Sequence, residues 1–137
     1  MTSTAVYTRD LRTELTHLRS ASLVETDAPT DNSGRGERFS PTDLLATSLA
    51  ACMLTVMGIK AAPMKVELEG LKIEVEKIML TEPRRVGAIN LTVHVPEELA
   101  ALDIKSKLVL QNTADTCPVM RSIHPDIKVS INWGRWA

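Results

Sequence analysis

The sequence predicts an α+β domain, a mostly antiparallel sheet packed on two main helices. Three observations predict it: period-two alternation in several separated stretches, one long apolar helix with a well-marked start, and a second, less regular helical stretch before a closing strand. A length of 137 residues suits a single domain, 1–137, with a core of its own. Charge is nearly balanced, 16 Lys plus Arg against 17 Asp plus Glu, so neither nucleic acid nor an anionic membrane is an expected partner.

Residues 4 to 27 alternate: Leu11, Thr13 and Leu15 point one way while Arg12, Glu14 and Thr16 point the other, which predicts a small antiparallel meander. TDAPTDNSGRGERFS follows, loop chemistry too polar for the core. A helix then starts clearly. Ser40 is placed to cap it, Pro41 fits the first helical position, and Asp43 stands where a capping-box acid reaches back. Its apolar stripe is read as Leu45, Leu49, Cys52, Val56 and Ile59, flanked by the small residues Ala46, Ser48, Ala50 and Ala51.

Two long strands are predicted next, at about 65–80 and 86–95, carried by Leu68, Ile73 and Val75 and then by Ile89, Leu91, Val93 and Val95. The segment TEPRRVGA joins them as a hairpin or a bend. The second helical region, about 97–115, does not hold one apolar register, which predicts a break near Asp103. Cys117 lies just beyond it, with Pro118 suited to open a short new turn, and DIKVSINW closes as a strand through Ile127, Val129 and Ile131.

The amino terminus carries Arg and Asp where a secretory signal needs an apolar run. No segment is read as reaching the roughly 20 apolar residues of a membrane span, so a cytoplasmic protein is expected. In that compartment two cysteines with no other sulfur nucleophile suggest redox or catalytic chemistry more than a structural staple. Local electrostatics favour Cys117 as the more acidic thiol, since it precedes a helix start, while Cys52 sits well inside its helix. A packing role for Cys52 and an idle loop thiol for Cys117 are the competing readings.

Arg35 and Arg38, in the loop before the helix, are candidates to hold a thiolate and polarise an oxygen substrate, or else are solvated charges. Arg121 is a further candidate, and Asp43 is read first as a cap. His17, His94 and His124 are scattered without metal-ligand spacing, and no phosphate-cradling glycine motif occurs, so neither metal nor cofactor is expected. With two Trp, one Tyr and one Phe, a ligand pocket would be built from aliphatic side chains and Met.

FSPTDLLATSLAACM, a Pro-led helix reaching Cys52 through small residues, and ADTCPV around Cys117 together resemble the OsmC-like proteins, including the organic hydroperoxide resistance branch. That resemblance extends over the whole order of elements. It implies an intertwined homodimer with active sites at the subunit interface. It also implies that Cys52 attacks a peroxide to become a sulfenic acid, that Cys117 resolves it as a Cys52–Cys117 disulfide, and that a thiol reductant restores the pair. The resemblance carries over to Cys52 and Cys117 alone; Arg38, Arg35 and Asp43 join them in the candidate catalytic set from their places in the loop and at the helix start. Peroxidase members carry Glu directly after the helix-opening Pro. Here that position is Thr42, and Asp43 comes one residue, roughly 100° of helix, later. The alternative is therefore a non-enzymatic dimer on the same fold that binds a small ligand or serves in stress.

Overall fold

A two-residue turn, Asp10–Leu11, reverses the chain between β1 (Ser3–Arg9) and β2 (Arg12–His17), and both turn residues take the positive φ such hairpins demand, 53° and 62°. Leu11 is thus a turn residue with its carbonyl accepting from the Ala28 amide, which corrects its placement on a strand face. The computed structural model describes residues 1–137, which divide into two units, Met1–Leu45 and Ala46–Ala137.

In the first unit β3 (Leu23–Asp27) pairs antiparallel with β2 and completes the predicted meander, in the order β1-β2-β3. The register sets Arg12 opposite Asp27. Arg12 donates from Nε and Nη2 to the two Asp27 carboxylate oxygens at 2.7 and 2.9 Å, and from Nη2 to Glu37 at 3.0 Å. The Glu37 amide donates to Asp27 at 3.1 Å, and the Asp27 amide to the Phe39 carbonyl at 3.0 Å. This fork ties the end of the 28–40 loop to the sheet. The polar stretch 26–40 reads as too polar for the core; its two ends correct that, because Thr26 and Asp27, which belong to β3, and Ser40 are all buried. Each has a partner, so burial carries no unpaired polar group.

The bonds from Arg12 hold the Asp27 carboxyl below the ordinary aspartate range. A group whose folded pKa is lowered contributes stability that is present above its unfolded value, about 3.9, and is lost as pH falls through the folded value. Denaturant titrations at stepwise lower pH are expected to show stability falling below the ordinary aspartate range. Asp27→Asn should be less stable at neutral pH and lose part of that acid dependence. An unchanged acid limb in the variant would exclude Asp27 as its source.

α1 (Pro41–Ala61) runs from the first unit into the second. Its start is a reciprocal capping box: the Asp43 amide donates to Ser40 Oγ at 3.0 Å and the Ser40 amide to Asp43 Oδ2 at 2.9 Å. The helix is 21 residues long with a mean hydropathy of 1.7 over its most apolar stretch, enough by length and composition to cross a bilayer. That corrects the expectation that no segment reaches such a length. One stripe of it packs as core, with Leu49, Met53 and Met57 fully buried, each worth about 1.5–3 kcal/mol, while only 33% of the apolar stretch is buried. The buried stripe is Ala46, Leu49, Ala50, Met53, Met57 and Ala61. Leu45 and Ile59, predicted to pack, are exposed, so the stripe is rotated from the one read in the sequence.

In the second unit β4 (Lys72–Thr81) and β5 (Arg84–His94) form a tight antiparallel hairpin, and β6 (Lys128–Asn132) lies parallel to β5 on its other side. β4 starts later than expected, so Leu68 lies in the preceding turn, packed on the core from there. β5 is the central strand and turns Val86, Ile89, Leu91 and Val93 inward. The second helical region is broken where predicted, into α2 (Glu97–Ala100) and α3 (Ile104–Asp115), with Asp103 capping α3 through the Ser106 amide at 3.0 Å. α4 (Pro118–Ser122) follows. Near the end, Gly134 has φ +55°, and a Cβ there would stand 2.6 Å from the Val93 carbonyl oxygen. The turn it permits buries Trp136, whose Nε1 donates to the Leu99 carbonyl at 2.9 Å.

Candidate active site

Cys117 is the residue between α3 and α4, and it is almost fully buried. Its backbone is extended (φ −63°, ψ 152°), and its Sγ caps α4 by accepting from the Met120 amide at 3.4 Å. Cys52 comes from the middle of α1, partly buried at the edge of the same apolar cluster. The structure makes Cys52 and Cys117 neighbours, close enough that one perturbs the other's titration, and both are free thiols.

Burial pushes the Cys117 thiol above its ordinary pKa. The Met120 amide opposes this without prevailing, and the neighbouring Cys52 raises it further. The helix-start argument for an acidic Cys117 is therefore corrected. The cap is real, but α4 is only five residues long, and desolvation outweighs its few amides. Cys117 rests as a protonated thiol, held against a second sulfur that reaches the edge of the core. Such a pair can give up two electrons and close as a disulfide if the sulfurs contract to about 2.05 Å.

Arg35, Arg38 and Asp43 belong to the first unit and have partners within it. Arg35 pairs with Asp10, and Arg38 donates to Glu25 at 2.7 Å and to the Glu37 carbonyl at 3.1 Å. Arg38 also borders two open clefts of about 440 and 380 Å³, the first shared with Glu14, Leu23, Val24, Glu25 and Phe39. Asp43 works as the capping acid, and the Thr42 hydroxyl lies 3.2 Å from that of Ser40. Arg121 is exposed on α4.

The three histidines do not converge, and no cluster of His, Cys, Asp and Glu is arranged to hold a metal. Sequence reading missed the Arg12–Asp27–Glu37 fork. Its signal was the strand register, which sets Arg12 across from Asp27 and is not visible in either strand alone.

The OsmC-like protein family matches residues 34–132. Among solved structures, a protein from Psychrobacter arcticus 273-4, named for osmotic stress induction and a detoxification response, is 49% identical, with a TM-score of 0.91 over 96% of this chain and 94% of its own. The organic hydroperoxide resistance protein OsmC of Legionella pneumophila shares the fold at 19% identity, with a TM-score of 0.72 over 96% of each chain. An organic hydroperoxide resistance protein of Elizabethkingia anophelis does so at 16% identity, with a TM-score of 0.68 over 96% of this chain and 94% of its own. No curated protein matches the sequence.

Proposed function

This chain belongs to the OsmC-like protein family, and on that premise we propose that it is a thiol-dependent peroxidase reducing organic hydroperoxides or hydrogen peroxide through Cys52 and Cys117. The observation that carries the reading is the proximity of two free thiols, one at the core's edge and the other buried and protonated. The Cys52 thiolate attacks the terminal peroxide oxygen, the O–O bond breaks, an alcohol or water leaves, and Cys52 becomes a sulfenic acid. Cys117 then attacks that sulfur. The S–S bond forms, the S–O bond breaks, and the hydroxyl leaves as water with the proton of the Cys117 thiol. A thiol reductant then reduces the disulfide by exchange.

The names of the Legionella and Elizabethkingia proteins support organic hydroperoxides as the substrate class. Arg38 and Arg35 are the candidates for the guanidinium that polarises the peroxide, to be separated by replacing each with Ala. The functional particle is a homodimer. A second copy would cover Leu45 and Ile59 on α1, and the meander side chains Val6, Tyr7 and Leu23, all large apolar groups left exposed here.

One observation favours a second reading, a stress-associated dimer that binds a small ligand without turnover. Thr42 holds the position where peroxidase members carry Glu, and Asp43 is occupied by its cap. Stopped-flow mixing of the reduced protein with cumene hydroperoxide decides between them. Loss of both thiols with matching peroxide consumption is the peroxidase result; survival of both thiols overturns it.

A further inference from the structure

Cys117 is a single extended residue set between two helices, and a backbone bond of each closes on it. Its own amide donates to the Ala114 carbonyl at 3.1 Å, an i→i−3 bond that tightens the last turn of α3, and its carbonyl accepts from the Arg121 amide at 3.2 Å as the first bond of α4. Thr116 before it is already near-helical, at φ −110° and ψ 17°. Only at Cys117 does the chain leave helical geometry, with ψ 152°. If that residue turned helical, α3 and α4 would join, and the thiol would swing away from Cys52.

Two features hold the residue extended. One is the bond from the Met120 amide to Sγ, long at 3.4 Å and made to a weak sulfur acceptor. The other is Pro118, whose ring clashes with helical backbone in the residue before it. The weaker bond depends on the conformation that the ring enforces.

We propose that Pro118 is a positioning residue for the resolving step: it keeps Cys117 out of the α3–α4 helix so that its sulfur faces Cys52. The inference rests on the peroxidase reading and concerns only its second half, attack of Cys117 on the Cys52 sulfenic acid. Pro118 donates no proton and forms no bond to the reacting atoms.

The test compares the full-length wild type with Pro118→Ala and Pro118→Glu, the latter placing an acid in the first turn of α4 so that the short helix keeps its start. Each reduced protein is mixed with cumene hydroperoxide. Sulfenic acid is trapped with dimedone, and the intramolecular disulfide is followed by mass spectrometry over time.

Misplacement of a reacting group by ~1 Å costs on the order of 10²-fold, so disulfide formation should slow by at least about tenfold in both variants. Sulfenic acid should form at the wild-type rate and then accumulate, a split between steps that general destabilisation does not produce. Disulfide formation as fast as wild type in either folded variant overturns the role of Pro118 and leaves the peroxidase reading intact. If the wild type itself forms neither the dimedone adduct nor the disulfide, the peroxidase reading falls and the inference falls with it.

Discussion

Replacing Cys52 with Ser is expected to abolish peroxide consumption, by on the order of 10⁴-fold or more, the scale on which loss of an essential nucleophile acts. A serine hydroxyl stays protonated where a thiol ionises, so the attacking lone pair is gone while shape and packing change little. Cys117→Ser should behave differently. The first equivalent of peroxide is still consumed, because Cys52 is untouched, but the product stops at a sulfenic acid that dimedone captures and no internal disulfide appears. Peroxide assays with thiol titration on both variants check this. Equal activity in wild type and Cys52→Ser would make both cysteines packing residues.

The second large effect is on stability. Ile89 is fully buried at the centre of β5, opposite Lys77 of β4 and Val129 of β6, within the apolar cluster that also holds Cys117. Ile89→Ala should cost about 2–5 kcal/mol, from lost transfer energy and the cavity left behind. In a chain of this length that lowers Tm by roughly 10 °C. Ile78→Ala removes the same atoms from an exposed site on β4, where surface substitutions usually change stability by about 0.5 kcal/mol or less. Thermal melts of the two variants side by side measure the difference. Equal losses would contradict the inward-facing assignment of Ile89.

What the sequence disclosed follows from how local each cause is. The capping box at Ser40 and Asp43 and the Asp103 break are set by residues three apart, and both stand as read. The alternation of β5 is equally plain, because a strand facing the core on one side needs only period two.

The α1 stripe failed for the opposite reason. A helix apolar on nearly every side offers no polar contrast to choose its buried face, so Ala46, Met53 and Met57 went in where Leu45 and Ile59 had been read as packing. The Cys117 thiol was misjudged because its helix start was visible and its burial was not. Desolvation belongs to the tertiary structure, and it reversed the sign of the local argument. The Arg12–Asp27 fork waited on strand register for the same reason.

That reversal also removes a conflict within the site. Local electrostatics had set Cys117 ahead of Cys52, against the order implied by family resemblance. With Cys117 buried and holding its proton, the local ground for setting it ahead of Cys52 is gone. The pairing of these two sulfurs is the central claim. It is tested most directly by adding one equivalent of cumene hydroperoxide to the reduced protein and mapping its peptides by mass spectrometry without reduction. A Cys52–Cys117 cross-linked peptide within single chains is the predicted result; recovery of both cysteines as free thiols, or of disulfides only between chains, would contradict it.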